Sequence, residues 1–230
     1  DISGPNISVE TVRLKIDGMV AHPLEFNYQE LINRPAFELD DTIACVSNKV
    51  GGNLVGNARW LGIRLDDLLK EAAPAARADQ VLGYSSDGFS AGFPLAILDG
   101  RDAMIAFGMN GEPLPLAHGF PARIIVPGLY GYVSATKWLT EIELTRFDMK
   151  QGYWVPRGWS ALGPIKTQSR IDTPRAGTTI KVGNIAIAGV AWAPTRGISL
   201  GEVEEGNSPW RVATRDHELA KKTWRRVWTD

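Results

Sequence analysis

The sequence predicts an α+β fold, a mixed α/β body followed by a small antiparallel β-sandwich. Three observations carry that expectation. Only two segments show helical spacing, while many short runs alternate or cluster apolar residues. The 24 glycines and 14 prolines among 230 residues supply frequent turns. Around Gly163–Thr167 the texture changes to short strand-like runs separated by Gly, Pro or Asn.

Thr11–Asp17 alternates apolar and polar residues and reads as a strand that Gly18 ends. Tyr28–Asn33 reads as a short helix, with Leu31 and Ile32 as its apolar side and Pro35 as its stop. Thr42–Val46 is a short apolar strand running into a cysteine, and Val50–Asn57 is a glycine-rich loop. Leu65–Ala73 has apolar residues at Leu65, Leu68, Leu69 and Ala72, the spacing of one helical face. Val81–Tyr84, Ala103–Phe107, Arg123–Val126 and Trp138–Leu144 are further strands. In the last part, strand-like runs cover Thr178–Val182, Ile185–Trp192, Ile198–Val203 and Trp210–Ala213. A boundary near Pro164 gives a body of residues 1–163 and a β module of residues 164–230. That module is short beside the ~100 residues of a complete immunoglobulin-like sandwich. It is therefore either abbreviated or continued outside this sequence.

Composition removes several function classes. The lone cysteine, Cys45, forms no internal disulfide and excludes zinc sites built on two or more thiolates. Neither CxxC nor HExxH occurs. The formal charge of −1 offers no global field for nucleic acid. The charge-free stretches Ile124–Thr136 and Val182–Thr195 are too short, and too rich in Gly and Pro, to span a bilayer.

Three clusters have chemical potential, each with an ordinary alternative. Cys45 ends a strand ahead of a loop with three glycines, with Ser47, Asn48, Asn53 and Asn57 nearby. It is either a small buried apolar residue or a thiolate placed to ligate a soft metal or attack an electrophile. His118 and Arg123 flank a turn at the mouth of a strand, and Ser134, Thr136 and Lys137 follow a second turn at Gly131. They form either an anion cradle or ordinary charges at strand ends. In Gly152–Arg170, Tyr153, Trp154 and Trp159 either cement the two halves together or line a substrate funnel beside Arg157.

Together these clusters resemble the sulfite-oxidase-like molybdopterin oxidoreductases. The stretch CVSNKVGGNLVGNARWLGIRLDDLL (Cys45–Leu69) is similar to the family's molybdenum-ligand loop with its Ala-Arg-Trp-x-Gly element. MNGEPLPLAHGFPARIIVPGLYGYVSATKWL (Met109–Leu139) is similar to the family's most specific run. GYWVPRGWSALGPIKTQSRID (Gly152–Asp172) resembles the junction to a C-terminal immunoglobulin-like dimerisation domain. The resemblance implies one molybdopterin whose dithiolene holds molybdenum, with Cys45 as the protein ligand. It implies cofactor contacts from Asn48, Asp87, His118, Arg123, Ser134, Thr136 and Lys137, and a substrate pocket shaped by Trp60 and Tyr153. It further implies oxygen-atom transfer or two-electron redox on a small oxyanion or sulfoxide-like substrate, homodimers, and an external electron partner such as a cytochrome or membrane carrier. No haem-attachment CxxCH occurs in the sequence. The branch most resembled is bacterial, of actinobacterial type, and carries its catalytic domain after a membrane-spanning portion. That implies an extracytoplasmic or membrane-anchored location through a segment preceding Asp1. One departure matters: where sulfite oxidases carry two arginines after Cys-x-x-Asn, this chain has Lys49 and Val50, which points away from sulfite itself. Two other readings stand beside this one: a hydrolase with Cys45 as nucleophile and His118 as base, and a non-catalytic binding or assembly module.

Overall fold

The computed structural model describes residues 5, 7–49, 51–217, 223 and 225–229. The chain begins with β1 (Arg13–Gly18), β2 (Leu24–Asn27) and α1 (Tyr28–Ile32), then forms the long hairpin of β3 (Phe37–Ala44) and β4 (Val55–Arg64). There follow α2 (Leu65–Ala72), β5 (Gln80–Ser85), β6 (Ser90–Pro94), β7 (Met104–Met109), β8 (Glu112–Pro113), β9 (Arg123–Ile125), α3 (Gly131–Ser134) and β10 (Leu139–Thr145). A short 3-10 turn at Val155–Arg157 precedes the later strands, β11 (Gln168–Thr173), β12 (Ile187–Trp192), β13 (Glu202–Val203), β14 (Arg211–Val212), β15 (Thr214–Arg215) and β16 (Arg225–Thr229). The fold is α+β.

One sheet runs β2-β1-β10-β5-β6, with β1 and β10 parallel and the other pairs antiparallel. A second runs β3-β4-β7-β8, with β9 also paired to β7. The later strands form a four-stranded sheet, β11-β12-β16-β15, and a two-stranded ribbon, β13-β14.

Alternation along the strands decides which face is buried where. From β7, Ile105 and Phe107 enter the main core with Leu14, Ile16, Val81, Phe93, Ile142 and Leu144 of the first sheet. Met104 and Ala106, one residue out of phase, enter a smaller cluster on the other face with Leu39, Ala58, Trp60 and Ile125. The same rule splits Ile124 from Ile125 in β9, and so turns Arg123 toward the smaller cluster. The helix α2 closes the main core through Leu65, Leu68, Leu69 and Ala72, its first turn carrying Asp66 and Asp67 where the helix dipole favours them. A register shift between Leu61 and Gly62 brings β4 so close to β7 that a Cβ on Gly62 would lie 2.3 Å from the Ile105 carbonyl oxygen.

Several expectations need correcting. Thr178–Val182 forms no strand; Ile180 and Val182 are exposed, and no strand among the described residues pairs with the segment. Ile198–Val203 contracts to Glu202–Val203. The region expected as loop up to Asn57 already belongs to β4 from Val55, which then continues through Trp60 to Arg64.

Candidate active site

The turn between β3 and β4 is a closed ring of hydrogen bonds that begins and ends beside Cys45. The Cys45 N–H donates to the Leu54 carbonyl at 2.9 Å, and the Asn48 N–H donates to the Cys45 carbonyl at 3.0 Å. The Leu54 N–H donates to Asn48 Oδ1 at 2.8 Å, so the asparagine amide acts as the hub of the loop. Cys45 itself is exposed, which removes the reading of a buried apolar residue. Val50, the position of the arginine-to-valine departure, lies outside the described residues.

A second turn faces this loop across a cavity. Its carbonyls are each held by a side chain. Trp138 Nε1 donates to Leu116 O at 2.8 Å, Lys137 Nζ to Ala117 O at 3.1 Å, and Arg123 Nη1 to His118 O at 3.0 Å. Trp138 does this from a left-handed backbone, φ +49°, a conformation that costs an aromatic residue energy. Lys137 Nζ also sits 4.1 Å from the centroid of the Trp138 ring.

The cavity holds about 530 Å³ and is walled by Cys45, Leu54, Val55, Asn57, Trp60, Met109, His118, Arg123, Tyr132 and Trp154, among others. Arg123 dominates its electrostatics. The guanidinium is buried, its Cζ lies 5.1 Å from the Trp60 ring centroid, and its Nε has no hydrogen-bond partner. Burial lowers its pKa to about 10, so it stays charged at neutral pH. Burial also lowers the pKa of His118, reinforced by the positive charges of Arg123 and Lys137. Lys137 is lowered by burial and by Arg123, with Asp87 opposing. The Trp60 indole N–H is likewise buried without a partner. Two buried donors without acceptors beside a cavity create a demand for an anionic or oxygen-rich occupant.

The structure therefore brings Cys45, Trp60, His118 and Arg123 of the sequence candidates into one cavity. Lys137 stands behind it on the His118 turn. Asn48 serves the Cys45 loop from within. Asp87 accepts from the Phe89 N–H at 3.0 Å, and, despite its burial, its carboxyl is held below the usual range by the nearby Ser85 side chain and the Phe89 amide. Ser134 spends its hydroxyl on the Tyr130 carbonyl at 3.0 Å, and Thr136 is buried with its hydroxyl unpartnered, packed toward Gly83. Neither walls the cavity, and nor does Tyr153, which is exposed with Arg157 Cζ 3.7 Å from its ring centroid. Its neighbour Trp154 takes the wall position instead, in contact with Trp159, which packs on Tyr132. Met109 and Tyr132 are wall residues that sequence reasoning passed over, although both lie in the Met109–Leu139 run.

Residues 2–154 match the family described as oxidoreductase molybdopterin binding domain. Mitochondrial sulfite oxidase of Homo sapiens is 29% identical over 97% of this chain and 49% of its own length. An uncharacterized oxidoreductase of Bacillus subtilis (strain 168), YuiH, is 31% identical over 65% of this chain and 73% of its own length. Among solved structures, the sulfane dehydrogenase SoxCD from Paracoccus pantotrophus superposes with a TM-score of 0.81 at 23% identity, covering 98% of this chain and 64% of that one. The chain spans about half the length of the sulfite oxidases it matches.

Proposed function

This chain belongs to the oxidoreductase molybdopterin-binding family, and from that premise we propose that it is the catalytic portion of a molybdenum enzyme with a sulfur-containing or related oxyanion substrate. The family implies molybdenum held by a single molybdopterin. The residues present fit that group: a lone exposed thiol and a buried guanidinium with an unpartnered Nε–H face one cavity. That pairing carries the proposal.

Bound there, the cofactor supplies a two-electron centre capable of oxygen-atom transfer. Cys45 would be the residue that holds the metal, a soft thiolate suited to molybdenum. Arg123 and the Trp60 indole present donors to the cofactor or to the substrate anion, and burial keeps those donors from water. His118 and Lys137 add positive field on the same side, and Asn48 keeps the loop that carries Cys45 closed. Ser134, Thr136 and Asp87 support the turns behind this cradle, and Tyr153 with Trp154 shapes the approach to the cavity. Residues 1–163 form the cofactor-binding unit and residues 164–230 an immunoglobulin-like module for homodimer contact. Relatives named for sulfite and sulfane chemistry favour a small oxyanion or sulfoxide-like substrate. Electrons pass to or from a separate redox protein. No helix among the described residues is long and apolar enough to cross a membrane.

The hydrolase alternative is not favoured, because the charges acting on His118 are the cations Arg123 and Lys137. A triad-like base needs an acceptor that orients its ring. The deciding experiment produces the protein in a molybdopterin-competent host and screens sulfite, sulfoxides and related oxyanions with an artificial electron carrier. Turnover proportional to molybdenum content supports the proposal. Metal-independent ester hydrolysis, lost on thiol alkylation, overturns it.

A further inference from the structure

The C-terminal sheet touches the Cys45 loop directly. Arg170, on β11, donates from Nη1 to the Gly52 carbonyl at 3.3 Å while its Nε donates to Asp172 Oδ1 at 2.9 Å. Its side chain is only 16% exposed, so the contact is partly shielded from water. Gly52 is packed against the loop's hub: a Cβ there would lie 2.7 Å from Asn48 Oδ1, the atom that accepts from Leu54 N–H. The other end of the loop is gripped as well. Ala44, immediately before Cys45, is buried in a cluster with Ile165, Val190 and Trp192, with Val55 packed against it.

The geometry points to Arg170 as a positioning residue for Cys45, oriented by Asp172 and acting on the cysteine loop through Gly52 and Asn48. A guanidinium suits the task because its separate N–H groups serve a carboxylate and a carbonyl at once from a rigid plane. The C-terminal sheet thus helps to set the position of the thiol. The functional part of this inference rests on Cys45 being the metal ligand, whereas the mechanical part does not.

The test uses the full chain in two states. In cofactor-free protein, Arg170→Ala raises amide hydrogen exchange at Cys45, Gly52 and Leu54 by about tenfold or more, as expected for losing a charge-assisted bond. Exchange at Ile16 and Leu82, in the first sheet, stays unchanged. Asp172→Asn gives a smaller increase at the same amides, and Arg170→Lys restores part of the protection. These two variants keep the test decisive where Arg170→Ala folds poorly. In molybdenum-loaded protein, Arg170→Ala shifts the electron paramagnetic resonance g-values with metal content retained. Unchanged loop exchange in all three variants overturns the mechanical claim, and loosened loops with unmoved g-values overturn the positioning role. A spectrum that also ignores Cys45→Ser instead overturns the assignment of Cys45 as ligand.

Discussion

Replacing Arg123 by methionine separates a group kept for binding from one kept for folding. In the cofactor-free protein the guanidinium is buried, and burial lowers its pKa well below the ordinary arginine range, to about 10. At about 1.4 kcal/mol per tenfold, that is a penalty of roughly 3 kcal/mol. Against it stand one hydrogen bond to His118 O, worth about 1.5 kcal/mol, and the contact with the Trp60 ring, worth about 0.5–1 kcal/mol. The balance leaves Arg123→Met neutral to stabilising by about 1 kcal/mol, or up to ~2–4 °C in midpoint for a chain of this size. An arginine serving a structural ion pair would behave oppositely, with loss of ~3–5 kcal/mol. The assay is urea unfolding of cofactor-free wild type and variant, paired with molybdenum per chain after expression in a competent host. The variant should match or exceed wild type in stability yet load little metal. A loss of 3 kcal/mol or more at an unchanged urea slope, with normal loading, refutes the reasoning.

His118 gives a pH signature. Its pKa is lowered in the folded protein, so below the unfolded value of about 6.5 the unfolded chain binds more protons and native stability falls with acidity. His118→Gln should therefore flatten the stability profile below about pH 6.5 and leave it unchanged above; parallel profiles would contradict this. Gly62→Ala forces a methyl toward the Ile105 carbonyl and should cost at least the ~1–3 kcal/mol typical of overpacking, measured by urea unfolding; a neutral result would show that β4 and β7 can separate freely. Asn48→Ala removes the acceptor of the Leu54 N–H and should cost ~1–2 kcal/mol while increasing proteolysis within the Cys45–Leu54 loop; wild-type resistance there would contradict the role of Asn48 as hub.

The sequence made the most periodic elements visible. Leu65, Leu68, Leu69 and Ala72 read as one helical face and are all buried on α2, and the apolar runs of β5, β7, β9 and β10 lie within a residue or two of their observed ends. Strands β2 and β6 escaped because LEFN and SAGFP carry turn-like or charged residues; pairing with β1 and β5, set by distant parts of the chain, makes them strands. Thr178–Val182 shows the converse, since this strand-like run finds no partner strand among the described residues. At the site, Cys45, His118 and Arg123 were legible as residue types beside glycine turns, and Trp60 only through the family resemblance. The hold that Trp138 exerts on the His118 turn was not, because it depends on a positive φ that no local pattern announces. Trp154 rather than Tyr153 walls the cavity for a similar reason: the choice between adjacent aromatics is made by the backbone direction of one short turn.

Cys45 is proposed to give the metal its protein sulfur. X-ray absorption at the molybdenum edge, on loaded wild type and on Cys45→Ser, tests it most directly. One fewer sulfur neighbour is expected in the variant, with its unfolding midpoint unchanged. An identical sulfur shell in the two proteins would contradict it.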